Sequence, residues 1–417
     1  MMYNMKRMIK NIAMLAAAAA VFAACSDVVD YQIPDKFSSN GAPVIRQIFD
    51  VQDVNLTNPL QEGKLNQLIR IQGSNLSHVK KVSFNGVEVD VRQVYAEADN
   101  SYVKIPRVIP ENITDQLIYE TEQGTVTVNF PISIPSVELD GLMNEFALQG
   151  NSAQLSGDYF DLYGFNDTTD ASPASIVISN AELGYSLKIH TDSCTEEYTS
   201  IFIPKDCPDN SLITFTWEEL DGKHSKTIPY RMTNELMFGN FDGDLGWWSD
   251  LGKDAVTDGS NYGDPQSLGY NFMRFVYTWE PWSWNGTGLG CNWRWIEAST
   301  HPEDYYFVFE TCTATSTPFK DYGDNDMYHN MNGGWLMTLN GGSPRCQFDP
   351  VAEWGLLNTY GEWVTIRMPL DRVIAGSQLP TEPDQWLSLE FVCQPNTSAA
   401  WNVDHSFGQF RIQPKNY

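Results

Sequence analysis

The chain has 417 residues, a formal net charge of −27, 13% aromatic residues and 19% charged residues. Its length accommodates roughly two to four domains, and the balance of many aromatics against few charges excludes a disordered chain. The negative charge excludes nucleic acid and anionic membrane surfaces as partners held by electrostatics, and it disfavours sulfated or uronate-rich polymers in the same way.

In chain order, Lys6, Arg7 and Lys10 precede an apolar run from Ile12 to Ala20, and Phe22-Ala23-Ala24-Cys25 closes that run with small residues. The run is too short to span a bilayer, so residues 1–24 read as a cleaved export signal. A cysteine at the cleavage point resembles the bacterial lipoprotein signal, with Phe22 where that family prefers Leu. The resemblance implies that Cys25 carries diacylglycerol and that the protein is anchored in the outer membrane. Asp27 and Asp30 resemble the surface-export signal of Bacteroidetes lipoproteins, which implies an outward-facing location. Residues 25–40, polar and containing Pro34, read as a flexible stalk. The other cysteines, Cys194, Cys207, Cys291, Cys312, Cys346 and Cys393, show no zinc-ligand spacing. Cys194 and Cys207 stand close enough in sequence for a disulfide to clip the loop between them; buried thiols are the alternative.

Short alternating runs separated by Gly, Asn, Asp and Pro follow, such as Val82-Ser83-Phe84, Val126-Thr127-Val128 and Ile213-Thr214-Phe215. They predict strands of β-sandwiches, with no convincing amphipathic helix. Residues 41–135 form a first unit, in which Asn85-Gly86 predicts a tight hairpin because both central residues of a type I′ turn need positive φ. The order Leu68–Leu76, Val82–Gly86, Ile105-Pro106, Gly124–Val128 resembles the immunoglobulin-like IPT/TIG fold, whose members act as spacers. Residues 136–233 repeat the theme, with Leu155–Phe160 echoing Ile71–Leu76, and predict a second Ig-like sandwich.

Residues 234–417 differ in character: of thirteen tryptophans, all but Trp217 lie here. The opening Phe238-Gly239-Asn240-Phe241-Asp242-Gly243, the strand Gly361-Glu362-Trp363-Val364-Thr365-Ile366-Arg367-Met368-Pro369-Leu370 and the ending Phe407-Gly408-Gln409-Phe410-Arg411-Ile412 resemble carbohydrate-binding jelly rolls. Gly408-Gln409 replaces the family's Asp-Asn, which puts in doubt any contact that pair makes. The expected fold is thus all-β: two tandem Ig-like (IPT/TIG) sandwiches followed by a jelly-roll-like β-sandwich. This arrangement resembles the surface glycan-binding proteins of Bacteroidetes polysaccharide-utilisation loci, the last domain being similar to the xyloglucan-binding type. The resemblance implies a neutral, β-linked plant polysaccharide as ligand. It also implies a TonB-dependent transporter and a SusD-like protein as partners.

A sugar ring has an apolar face of C–H groups that an exposed indole covers with a rigid surface, while neighbouring polar groups select hydroxyls. Trp282 and Trp284, two apart and followed by Asn285 and glycines, are the leading candidates for this role. Trp293 follows, with Arg294 on the opposite side of its strand, and then Trp335 after Gly333-Gly334, Trp354 in a loop-like stretch, and Trp401 beside Asn402. Trp363 and Trp386 are expected in the core, and Trp247-Trp248 are expected to split between inside and outside. A domain of this size has little use for so many buried tryptophans, so several are expected to be exposed. No cofactor is expected beyond a possible structural calcium at Asp242, Asp244 or the Asp321, Asp324, Asp326 loop. The histidines are scattered singly, and no hydrolase, metalloprotease or nucleotide-binding motif occurs. Glu280, Glu297 and Glu310 read as surface or sugar-contacting residues, not as a catalytic pair. The chain is therefore expected not to be an enzyme; a structural or adhesive lipoprotein and a surface glycanase are the alternatives.

Overall fold

The protein is described by a computed structural model covering residues 35–169, 171–319, 335–341, 345–395 and 399–417. The architecture is all-β, built of antiparallel sheets and one short parallel pair, Gly63–Lys64 with Ile132–Ser133, with short helices only. Among the described residues, no helix is long and apolar enough to cross a membrane. Contacts divide the chain into two compact units, one ending at Val137 and the other spanning Glu138–Tyr417.

The first unit holds two four-stranded sheets. One orders Val44–Asp50, Leu68–Ser74, Asn100–Lys104 and Tyr95–Ala96; the other orders Val87–Glu88, Val79–Phe84, Gln116–Thr121 and Gly124–Asn129. Alternation along Leu68–Ser74 and Gln116–Thr121 sends Ile69, Ile71, Leu117 and Tyr119 inward. The buried Tyr119 hydroxyl donates to the Leu76 carbonyl at 2.7 Å, so its burial leaves no orphaned polar group. The hairpin expected at Asn85-Gly86 forms, with φ of 49° and 81° joining Val79–Phe84 to Val87–Glu88.

The second unit contains two sandwiches. In the first of these, Glu138–Leu142, Ser152–Asp158, Thr199–Phe202 and Thr191–Cys194 face Tyr185–Ile189, Ser175–Asn180, Ser211–Glu219 and Gly222–Tyr230. Of the two alternatives for Cys194 and Cys207, the structure has the unpaired one: all six described cysteines are free thiols. Cys194 contacts the Thr199 hydroxyl while Cys207 contacts that of Ser211, and burial pushes both thiols up to about 11. Cys207 behaves as a small core residue, and Cys194 is partly buried.

The terminal sandwich pairs a five-stranded sheet, Val256–Thr257, Phe272–Trp279, Trp401–Pro414, Tyr305–Thr313 and Val364–Pro369, with a four-stranded one. The latter orders Asn285–Asn292, Trp386–Cys393, Trp335–Leu339 and Gln347–Phe348. Its core is unusually aromatic. The Trp335 ring lies 4.9 Å from Phe275, 4.7 Å from Phe391 and 5.0 Å from Phe407, centroid to centroid. That packing absorbs several tryptophans expected to be exposed, because edge-to-face arrangements let large rings fill one core at favourable geometry.

The two sandwiches of this unit are joined by buried charge. Glu145, from the loop after Glu138–Leu142, accepts from Arg411 Nη2 at 2.6 Å, from Arg367 Nη2 at 2.7 Å and from Gln413 Nε2 at 3.0 Å. Arg411 Nη2 also lies 2.8 Å from Glu310 Oε1, and Thr365 donates to Glu310 Oε2 at 2.6 Å. Glu145, Glu310 and Arg411 are fully buried. Burial alone pushes both carboxyls up. On Glu145 the two guanidiniums outweigh burial and hold it below the ordinary range; Glu310, beside the Glu145 charge, stays above it. The Glu310 expected at the surface or against sugar is thus a structural element of this joint.

Candidate functional site

The strand Asn285–Asn292 reads Asn-Gly-Thr-Gly-Leu-Gly-Cys-Asn. Strand alternation turns Leu289 and Cys291 into the core and puts Gly286, Gly288 and Gly290 together on the outer face. Three successive outward positions without side chains leave a smooth backbone floor, and aromatic rings lie on it. A Cβ on Gly288 would overlap the Trp248 ring; one on Gly286 would come within 2.8 Å of both Trp248 and Trp284. At Gly290 a Cβ would meet the Trp386 ring at 2.5 Å. Glycine is required at these positions by the close approach of the rings.

The segment before the strand wraps its free edge. The Trp248 amide donates to the Gly288 carbonyl at 3.3 Å, and Gly290 donates to the Leu245 carbonyl at 2.7 Å. This wrap explains why Trp247 and Trp248 split as expected: Trp247 packs against the core, while Trp248 crosses the outer face. The result is a row of three indoles, Trp284, Trp248 and Trp386, with fractional exposures of 48%, 52% and 49%. Each has one face on the protein and surface left for a ligand.

A charged pair borders the row. Glu390 lies opposite Gly288 in the register of the sheet, and Arg345 donates to its two carboxylate oxygens at 2.7 and 2.9 Å. The Arg345 guanidinium also sits 4.9 Å above the Trp284 ring. A rigid stacking surface beside a bidentate donor–acceptor pair is suited to a flat ligand with an apolar face and hydroxylated edges.

The structure sorts the sequence candidates. Trp284 belongs to the row, and Trp282, 58% exposed, stands on the turn two residues before it, its amide held by the Pro395 carbonyl at 2.7 Å. Asn285 shapes that turn by donating to the Cys393 carbonyl at 3.1 Å. Trp354 is exposed, but it follows Gln347–Phe348, which lies at the opposite edge of the sheet from Asn285–Asn292.

Trp335, Trp293 and Trp401 require correction: all three are buried. Trp335 faces inward with Met337 and Leu339, and its Nε1 donates to His405 Nδ1 at 3.1 Å. The Trp293 Nε1 donates to Ser299 Oγ at 2.7 Å, and Trp401 packs on Trp279. Arg294 is exposed yet employed elsewhere, lying over the Trp295 ring at 4.5 Å and donating to the Leu236 carbonyl. Two row members were not among the candidates. Trp386, expected in the core, is exposed; Trp248 could not be told from Trp247. The signal that finds both is the run Gly286-x-Gly288-x-Gly290 on an otherwise well-packed strand. Trp363 is buried as expected, its Nε1 donating to the Gln266 carbonyl.

Among the described residues, the convergent metal-competent groups are Glu219–Asp221–His224 and His301–Glu303–Asp304. Neither contains Asp242 or Asp244, and Asp321, Asp324 and Asp326 lie outside the described residues.

A β-sandwich that exposes a flat row of indoles over a glycine floor has the build of a carbohydrate-binding domain. Residues 230–414, most of which form the terminal sandwich, match the family described as the surface glycan-binding protein B xyloglucan binding domain. Solved structures similar to the chain include a surface glycan-binding protein from Prevotella bryantii, 17% identical, covering 91% of this chain and 100% of that one with a TM-score of 0.46. Another is a surface glycan-binding protein B from a complex xyloglucan utilization locus of Bacteroides uniformis. It is 14% identical and covers 89% of this chain and 99% of that one, with a TM-score of 0.46. No curated protein sequence matches the chain.

Proposed function

We propose that this protein is a non-catalytic cell-surface polysaccharide-binding protein that captures a neutral, β-linked plant glycan on the row Trp284–Trp248–Trp386. The observation that carries the reading is the glycine-floored row itself: three half-exposed indoles side by side, bordered by the neutral Arg345–Glu390 pair. The family match over residues 230–414 supports the class of ligand and makes xyloglucan the first polymer to test. A lipid on Cys25 would hold the protein at the outer membrane facing outward, consistent with the leader and with Asp27 and Asp30. Captured polymer would pass to surface hydrolases and to a TonB-dependent transporter with its SusD-like partner.

Affinity gel electrophoresis against a panel of neutral polysaccharides tests this reading. Retarded migration is expected with at least one β-linked polymer and without release of reducing sugar. Trp284→Ala and Trp386→Ala should each weaken binding by about 2 kcal/mol, roughly 30-fold. Retardation unaffected by either substitution would remove the row from the site, and release of reducing sugar would make the protein a glycanase.

A further inference from the structure

Where the two sandwiches of the second unit meet, they enclose a cleft of about 480 Å³. Its walls come from Glu138–Leu142 and Gly222–Tyr230 on one side, and from Val364–Pro369 and the end of Trp401–Pro414 on the other. The volume falls in the range of small-molecule sites, roughly 300–1,000 Å³, and is far larger than a packing void. The indole row needs no cleft, because it is a flat surface, and it does not reach this one. Trp354, on the cleft wall, ends the short helix Pro350–Trp354, which follows the far edge strand of a four-stranded sheet whose near edge carries the glycine floor. Three strand spacings, about 14 Å, separate those edges.

Two features suit the cleft to a ligand. Its walls are fixed: Glu145, Arg411, Arg367 and Glu310 lock the sandwiches together from beneath, and the Thr365 amide donates to the Met143 carbonyl at 2.7 Å. A preformed site loses little free energy to ordering when it binds. Its lining also combines aromatic rings with donors and acceptors of both charges. Trp354 is 38% exposed, Tyr306 lies beneath the Lys415 ammonium at 5.2 Å, and Lys226, Thr227 and Asp140 complete the rim. Arg367 at the floor donates through its Nε and Nη2 to Glu145, so those donors are spent within the joint, and the lining carries Asp140 as well as Lys226 and Lys415. An indole beside mixed donors and acceptors is the chemistry that accepts a hydroxylated ring with an apolar face.

We propose that this cleft is a second, independent sugar-binding site that takes a short neutral oligosaccharide segment. The inference rests on the carbohydrate reading of the row only for the identity of the polymer. Two sites on one rigid body would make polymer binding bivalent, while a short oligosaccharide would occupy each site separately.

Calorimetric titration of the full mature chain with a neutral tetrasaccharide cut from the retained polymer tests the proposal. The row variant Trp284→Ala/Trp386→Ala is expected to keep a weak one-site binding that disappears when Trp354→Ala or, on the opposite wall, Lys226→Ala is added. Trp354→Ala alone is expected to lower polymer affinity at least tenfold while leaving oligosaccharide binding to the row unchanged, and thermal unfolding of each variant reports whether it remains folded. If the row variant binds no tetrasaccharide, the cleft is not a site and the row reading stands; if it binds regardless of Trp354 and Lys226, the cleft is likewise not a site. If instead the row variant binds like the unmodified chain and Trp354→Ala abolishes binding, the row reading fails and the cleft stands.

Discussion

Gly288 and Trp248 show how a binding surface is made by omitting side chains. Because a Cβ at Gly288 would overlap the Trp248 indole, Gly288→Ala should displace that ring without removing any contact of the core. Gly288 lies in a regular strand and shows no positive φ, so the substitution carries no backbone penalty of its own. We expect about a tenfold loss of polysaccharide affinity with an unfolding midpoint near that of the unmodified chain; unchanged affinity would mean that Trp248 contributes nothing to the surface. Arg345 and Glu390 belong to the same scale. Their pairing is partly exposed and so contributes little to stability, about 0–1 kcal/mol. Glu390→Gln should therefore leave unfolding almost unchanged while altering the ranking of polymers retained in affinity electrophoresis, since it replaces an acceptor at the edge of the row. An unaltered ranking would place the selection of hydroxyls elsewhere.

At the scale of the element, the strand Trp401–Pro414 carries a group whose protonation matters to the fold. His405 is fully buried, accepts from Trp335 Nε1 through Nδ1, and faces the Thr317 carbonyl at 2.8 Å through Nε2. Those partners fix the neutral Nε2–H form. Burial lowers its pKa from 6.5 to about 4, the Thr317 and Asp404 interactions opposing that fall only in part. A histidine depressed in the folded state is protonated more readily in the unfolded chain. Its contribution to stability is thus present above pH 6.5 and lost as pH falls from 6.5 toward 4, by roughly 3 kcal/mol in all. Denaturant midpoints of the terminal domain should drop across that window, and the drop should shrink in His405→Gln; an identical pH profile in the variant would exclude His405 as the cause.

The strands also show how much of the site could be read in advance. Trp386-Leu387-Ser388-Leu389-Glu390-Phe391 alternates cleanly: Leu387, Leu389 and Phe391 are buried, leaving Trp386 on the face of Ser388 and Glu390. Its exposure was legible in that alternation, although the bulk of an indole favours a core assignment. Trp335 was not legible in the same way. In Trp335–Leu339 all five residues are buried, so the run gives no polarity contrast, and only pairing with Trp386–Cys393 decides which way the indole points. Trp293 and Trp401 were misplaced for a related reason. Their polar neighbours suggested exposure, but burial depends on tertiary partners: Trp293 is held by Ser299, itself fixed by the distant Pro380 carbonyl, and Trp401 packs beside Trp279.

For the whole molecule, the buried charges between the second and third sandwiches set the behaviour. Removing one partner of a buried ion pair strands the others in a medium of low polarity, which costs about 3–5 kcal/mol. Glu145→Ala should therefore lower the calorimetric transition of the Glu138–Tyr417 unit substantially and leave the transition of the preceding unit in place. A shift of both transitions together, or of neither, would contradict the assignment of Glu145 as the centre of that joint. The network brings Glu145 together with Arg367 and Arg411, more than two hundred residues further along the chain, as its hydrogen bonds record. No local pattern announces such a joint.

By itself the sequence determined the all-β class, the Asn85-Gly86 hairpin, the concentration of tryptophan in the last segment and the resemblance of that segment to a sugar-binding sandwich. Each of these is written in local patterning: period-two alternation, turn residues that need positive φ, and composition. The tertiary structure alone decided which indoles face outward, that the thiols stay unpaired, and that Glu310 serves a joint and not a surface. Those outcomes depend on register and on contacts between distant strands, where a shift of one residue exchanges the core face for the solvent face. The row of Trp284, Trp248 and Trp386 draws its members from three separate stretches of chain, and only the folded sheet lays them side by side on one glycine floor.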